Sequence, residues 1–244
     1  MGGLSRGRCR RDRRAVVAVA AAVATLTGAG CGPGGPDKAA AGASTTAARS
    51  IETDRAVATR VLLTPADVPT LAAATPSALD GLFARCGASS LLPGGDDPRA
   101  ATPTAFFKDE TADVKRVQMT AVASYAALGL TEDAARVALS TLRSPEFRTC
   151  LERELRAAVN GGAGRPVVST VSTVDLIAPV LGDEAVAFRM TLSGPGGVYQ
   201  TLDLTTVRKG RAVVSVTTGR VGTTAFPDEE RVRLATVVAK RLGG

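Results

Sequence analysis

Val186-Ala187-Phe188-Arg189-Met190-Thr191-Leu192, then Ser193-Gly194-Pro195-Gly196-Gly197, then Val198 to Val207, Lys209-Gly210 and Arg211 to Thr218 follow one another almost without interruption. This stretch decides the fold. Val186, Phe188, Met190 and Leu192 alternate with Ala187, Arg189 and Thr191, the period of two expected of a strand. The glycine- and proline-rich run at 193–197 turns the chain into a second strand, with Leu202 and Leu204 facing in. Lys209-Gly210 makes a tight turn into a third, where Ala212, Val214 and Val216 face in. Turns this short join antiparallel neighbours, because parallel strands need a long crossover. The alternation predicts one covered sheet face and one wetter face.

Working outward, Val167 to Ile177 is β-branched and rich in Thr and Ser, and adds a fourth strand. On the other side a helix is predicted from about Pro227 to Leu242. Asp228, Glu229 and Glu230 lie at its positive start and Lys240 and Arg241 at its negative end. Val232, Ala235, Val238, Ala239 and Leu242 form its apolar stripe. Arg231, Arg233, Lys240 and Arg241 are read as a solvated face.

Two helices are predicted upstream. Thr131 caps the first, with Glu132 and Asp133 in its first turn and Ala134, Ala135, Ala138, Leu139 and Leu142 on its apolar side. Ser144-Pro145 starts the second, which places Phe147, Cys150, Leu151, Leu155 and Ala158 on one side. Asn160-Gly161-Gly162 ends it. Strand character precedes them at Ala105-Phe106-Phe107 and from Val114 to Tyr125. Thr64-Pro65-Ala66-Asp67 reads as the cap and first turn of a short helix. The resulting class is α+β: an antiparallel β-sheet with helices packed on one face. One domain is expected over residues 51–244, long enough to bury a core.

The first 36 residues are of another kind. Arg6, Arg8, Arg10, Arg11, Arg13 and Arg14 precede a small apolar run from Ala15 to Thr27. Gly28-Ala29-Gly30-Cys31 and the helix-breaking Gly32-Pro33-Gly34-Gly35-Pro36 follow. Basic, apolar and small residues in that order form an export signal. Three readings of the junction exist. A membrane-spanning helix needs about 20 predominantly apolar residues, and this run ends short of that. Cleavage with free secretion would leave Cys31 as an odd exposed thiol. The third reading is favoured: the segment resembles a bacterial lipoprotein signal peptide. That resemblance implies a signal over residues 1–30, cleavage after Gly30, and lipid carried on Cys31. Arg13-Arg14 also fits twin-arginine export. Residues 31–50 then comprise the lipidated cysteine and a tether rich in Gly, Pro, Ala, Ser and Thr.

The signal also explains the charge. The whole chain of 244 residues has 30 basic and 23 acidic residues. Without the six arginines and one acid of residues 1–30, 24 basic residues face 22 acidic ones, a net of +2. The basic balance is therefore poor evidence for nucleic-acid binding, and aromatics make up only 3% of the chain.

Of four cysteines, Cys9 leaves with the signal and Cys31 is assigned to lipid. Cys86 and Cys150 remain, an even pair in a segment expected outside the cell. The oxidising compartment favours a Cys86–Cys150 disulfide; the alternative is two small buried hydrophobes.

Histidine is absent from the chain, which excludes Ser-His-Asp triads, Cys-His dyads and histidine metal sites. Acid–base work would fall to Asp, Glu, Lys or Tyr. Lys108, Lys115 and Lys209 sit where solvated lysine is the default. Asp96-Asp97, between Gly-Gly and Pro, reads as a turn more readily than as a calcium site, which needs six to eight oxygens. Asp183-Glu184 reads as a hairpin corner. Gly161-Gly162-Ala163-Gly164-Arg165 follows a helix and precedes a strand, the reverse of a phosphate-binding loop. No catalytic residue, metal site or cofactor is expected.

Residues 60–242 resemble the extracytoplasmic sensor-type domains of actinobacterial lipoproteins and receptor kinases. The resemblance rests on Leu62-Leu63-Thr64 with Asp67-Val68-Pro69, the cysteine ahead of the sheet, the Cys150 helix, and the late hairpin with Arg208-Lys209-Gly210. It implies a binding or sensor-type module, which the export signal places at the outer face of the cell membrane; the missing histidine and the want of a nucleophile elbow or metal-ligand spacing predict that it is not an enzyme. The expected partners are the membrane, through the lipid anchor, and a small-molecule, lipid or envelope-protein ligand; nucleic acid is not expected. A lipid carrier is a second reading, and an envelope enzyme using carboxylate or Ser/Lys chemistry a third. The expected ligand walls are the 186–204 hairpin and the loop from Leu91 to Pro103, which is long for a connection.

Overall fold

The structure is a computed structural model that describes residues 40–75, 80–111, 118–160, 168, 170–194, 199–222 and 224–243. Seven strands form one sheet: β1 (Ala72–Ala74), β2 (Thr104–Asp109), β3 (Met119–Leu128), β4 (Thr170–Asp175), β5 (Glu184–Ser193), β6 (Tyr199–Lys209) and β7 (Ala212–Val221). Among the described residues five α-helices accompany them: α1 (Ala40–Val61), α2 (Asp80–Arg85), α3 (Glu132–Arg143), α4 (Pro145–Asn160) and α5 (Asp228–Gly243). The strand order is β1-β2-β3-β7-β6-β5-β4, with every neighbouring pair antiparallel. The α+β class and antiparallel sheet are those read from the alternation.

The distribution of helices differs from the expectation. They cover both faces of the sheet, not one. On one side α2, α3 and α4 bury Leu82, Leu139, Leu142 and Leu151 against Phe188, Met190, Leu204 and Val213. On the other, α1 and α5 bury Val61, Leu63, Leu234 and Val238 against Val122, Val207, Val214 and Val216. The cause is visible in β6, where every residue from Thr201 to Arg208 is buried. Its second face carries Thr201, Asp203, Thr205 and Val207, which a period-two reading takes as wet. Those polar groups are largely covered because most are paired: Asp203 with Arg189, and Thr205 with Arg231.

Local signals account for the helix ends. Thr131 Oγ1 accepts from the Ala134 N–H at 3.2 Å, and Ser144 Oγ accepts from the Phe147 N–H at 3.1 Å. Thr64 donates its N–H and its hydroxyl to Asp67 at 2.7 and 2.9 Å, closing a single 3-10 turn over Pro65–Asp67. Gly182 has φ +63°, and a Cβ there would stand 2.4 Å from the Arg208 carbonyl oxygen. Only glycine suits that turn.

Helix α1 starts at Ala40, inside the segment read as tether. Alanine has the highest helix propensity, and the apolar positions Ala58 and Val61 give the helix a docking face. The short α2 likewise lies in a stretch without a clear helical pattern. It leads into Cys86, which forms a disulfide with Cys150 of α4, with Cα atoms 5.6 Å apart. Both cysteines are half-buried, and the Phe83 and Phe147 rings pack beside them, centroids 5.8 Å apart. Cys9, Cys31, Lys115 and the 161–165 glycine run lie outside the described residues.

Candidate functional site

A cavity of about 520 Å3 opens on the α1/α5 face, at one end of the sheet. Its floor is Thr120 and Val122 of β3 and Arg220 of β7. The segment Ala66 to Leu71 forms one wall. Phe226, Pro227 and the first turns of α5, with Glu230 and Arg233, form another, and Glu110 closes the rim. The register explains the floor: Thr120 and Arg220 are direct cross-strand partners. Along β7, Val214, Val216, Thr218 and Arg220 project to one face. Arg220 is thus the last position of an inward-facing row whose earlier members fill the core.

Each carboxylate in the lining is already engaged. The two oxygens of Glu230 accept from Nη2 and Nε of Arg233, at 2.6 and 2.7 Å. These bonds hold the Glu230 carboxyl below its usual range and raise Arg233 above its own. Arg233 also donates to the Asp67 carbonyl at 2.6 Å. Burial pushes the Asp67 carboxyl up, but the bonds from Thr64 and from Arg241, at 2.8 and 3.0 Å, outweigh it and leave the carboxyl below normal. Glu110 pairs with Lys108 at 2.5 Å.

Arg220 differs. Its Nε is buried without a hydrogen-bond partner, and no ion pair to its guanidinium exists among the described residues. The hydroxyls of Thr201 and Thr218 are likewise buried and unpartnered. Thr201 is the β6 partner of Arg220, and Thr218 lies two residues before it on the same strand face.

The expected walls do not form this cavity. Phe188, Met190, Leu192, Leu202 and Leu204 of the 186–204 hairpin are covered by the α2–α4 layer. In the Leu91 to Pro103 loop, Leu91, Leu92 and Pro93 are buried, and the Ala101 N–H donates to the Ala126 carbonyl of β3 at 2.9 Å. That loop is packing, tied down further by Arg55 on the Pro98 carbonyl.

Other singled-out residues serve the frame. Asp97 accepts from the Arg99 N–H at 2.8 Å, an Asx turn as read. Asp183 accepts from the Gly210 N–H at 2.7 Å and from Arg208, and Glu184 joins Arg208 and Arg143. Three of the four α5 cations are not simply solvated. Arg231 is buried beneath the helix, donating to Thr205 and Asp228. Arg233 and Arg241 tie α5 to the 62–67 segment. Among the described residues, no group of three metal-ligating side chains converges, and no helix is long and apolar enough to cross a membrane.

No known protein family matches the chain, and no curated protein matches it. Among solved structures it is similar to the crystal structure of the extracellular domain of PknH from Mycobacterium tuberculosis. The identity is 14% and the TM-score 0.42, over 78% of this chain and 97% of that one.

Proposed function

We propose that the chain is an exported binding module, held at the outer face of the cell membrane by lipid on Cys31, with its ligand site in the cavity between α5, the 66–71 segment and strands β3 and β7. The cavity itself carries the reading. Its volume falls within the span typical of small-molecule sites, and its walls mix apolar surface with a few converging polar groups. Among the described residues the lining contains no serine, lysine, cysteine or histidine, and its carboxylates are engaged by cations. This supports holding a ligand over transforming one: the hydroxyls of the described lining are those of Thr70 and Thr120, and the carboxylates that could serve as base are committed to cations.

The placement of the cavity suits an anchored protein. Asp54 of α1 meets Arg211 at the opposite end of β7 from Arg220. Nine residues of strand separate those ends by about 30 Å. The ligand site is therefore remote from the end where the N-terminal segment joins the sheet.

Native mass spectrometry of the full processed chain, gently extracted from its own envelope, tests the reading. A bound small molecule is expected. It should be lost in Thr120→Phe, which fills the floor, while the thermal midpoint stays unchanged. A bare chain in every preparation, or a ligand that survives Thr120→Phe, overturns it. So does turnover of a hydrolase or transferase substrate that one Ser, Lys or Asp alanine variant abolishes without loss of stability.

A further inference from the structure

Resting on that reading of the cavity, we infer that its ligand is a small monoanionic carboxylate with an apolar body, and that Arg220 fixes the carboxylate. The argument starts from what the protein leaves unpaired. A buried polar group without a partner is unfavourable and uncommon in native folds. Here three cluster on one patch of sheet: Arg220 Nε and the hydroxyls of Thr201 and Thr218. Both threonines are fully buried, and the strand register sets them beside Arg220. Of the three side chains, Arg220 lines the cavity.

The sign and size of the ligand charge follow from the pairing around it. Glu230 is neutralised by Arg233, Asp67 by Arg241 and Glu110 by Lys108. Among the described residues, what remains is one positive charge on a planar fork, that of Arg220. A guanidinium matches the two oxygens of a carboxylate with two parallel hydrogen bonds. A dianion would leave one negative charge uncompensated among three nearby carboxylates. The rest of the ligand meets Val68, Leu71, Val122 and Phe226, surface that favours an aliphatic or aromatic body.

The test is calorimetric titration of the full chain in lipid nanodiscs, with empty nanodiscs as blank. The probes are 4-phenylbutyrate, its neutral alcohol 4-phenylbutanol, and inorganic phosphate. The acid should bind at least tenfold tighter than the alcohol. Arg220→Gln should weaken the acid at least tenfold and leave the alcohol unchanged, and Arg220→Lys should fall between. Equal binding of acid and alcohol, or an unchanged affinity in Arg220→Gln, overturns the assignment. Phosphate that binds as tightly as the acid overturns the choice of a carboxylate. If Arg220→Gln fails to fold, the acid–alcohol comparison on the unaltered chain still decides. No binding of any probe sinks the inference, and a neutral or cationic molecule found in the native spectrum does so while leaving the binding-module reading intact.

Discussion

Arg189 of β5 sets two guanidinium nitrogens on the two oxygens of Asp203 of β6, at 2.6 and 2.7 Å, and Asp203 has no solvent exposure. The two residues are cross-strand partners. The same guanidinium reaches Asp228 at 3.2 Å and the Phe226 carbonyl at 3.4 Å, so it joins the sheet to the start of α5. Removing one partner of a buried pair leaves an uncompensated charge, at a cost of about 3–5 kcal/mol. Asp203→Ala should lose stability of that order in urea unfolding. The double variant Arg189→Met/Asp203→Leu should recover much of it, because apolar groups replace the pair without leaving a charge. A double variant no more stable than Asp203→Ala would show that the pair has a role beyond charge compensation.

Acid should weaken the domain in a defined window. Hydrogen bonds from Arg211, Arg143 and Arg233 hold the carboxyls of Asp54, Glu184 and Glu230 below their ordinary range. An unfolded chain protonates such groups near about pH 4. Above that, both states are ionised and the stabilisation is complete. As the pH falls through the depressed folded values it is lost, because the unfolded state binds protons first. Thermal midpoints should be level above about pH 5 and decline below about pH 4. Asp54→Asn should start lower and decline less steeply. A parallel decline in the two proteins would remove Asp54 from the account.

The disulfide should matter most for the α2–α4 side. It closes a loop with a sequence separation of 64 residues, which in the chain-entropy model adds about 4 kcal/mol. Cys86→Ala/Cys150→Ala should lower the denaturant midpoint strongly. Hydrogen exchange should rise first around Leu82, Phe83 and Leu151. Unchanged protection there would mean that Phe83 and Phe147 alone hold α2 in place.

Cys31→Ala should either release the protein from the membrane or accumulate an unprocessed precursor. A lipidated chain gains about 0.8 kcal/mol per buried methylene. Normal processing together with membrane retention in that variant would remove Cys31 from the anchoring scheme.

How far the fold could be read depended on which residues carried local information. Val186, Phe188, Met190 and Leu192 stated their face directly. So did Asp228 to Glu230 and the caps at Thr131 and Ser144, since a cap is decided by neighbours a few residues away. The second covered face was harder. Thr201, Asp203 and Thr205 look wet as a string, and only their pairing with Arg189 and Arg231, or their place under α5, lets them be buried. Helix α1 was obscured because Ala, Ser and Thr serve both tethers and helices. The cavity draws on segments around residues 66–71, 110, 120–122, 220 and 226–233, so no contiguous motif marks it. One signal was available: continuing the inward row Val214, Val216, Thr218 by one step places an arginine on a covered face.

Helix α1 packs on β3 and is tied to the 98–99 segment, but other contacts that seat it reach far along the chain. Asp54 meets Arg211 across 157 positions. Just beyond the helix, Leu62 and Asp67 meet Arg241 across 179 and 174 positions. The central strand β7 and the covering helix α5 are both late in the chain, yet β3 and α1 depend on them. Contacts of such high order slow folding, because loop closure must precede the gain. A chain emerging from a ribosome or a translocation channel N-terminus first therefore holds β3 without β7, and α1 without α5, until the last strand and helix are free. Completion of this domain should therefore wait on release of its C-terminal end, and shortening the chain by the α5 turns that carry Leu234 and Val238 should leave the early half open to proteases.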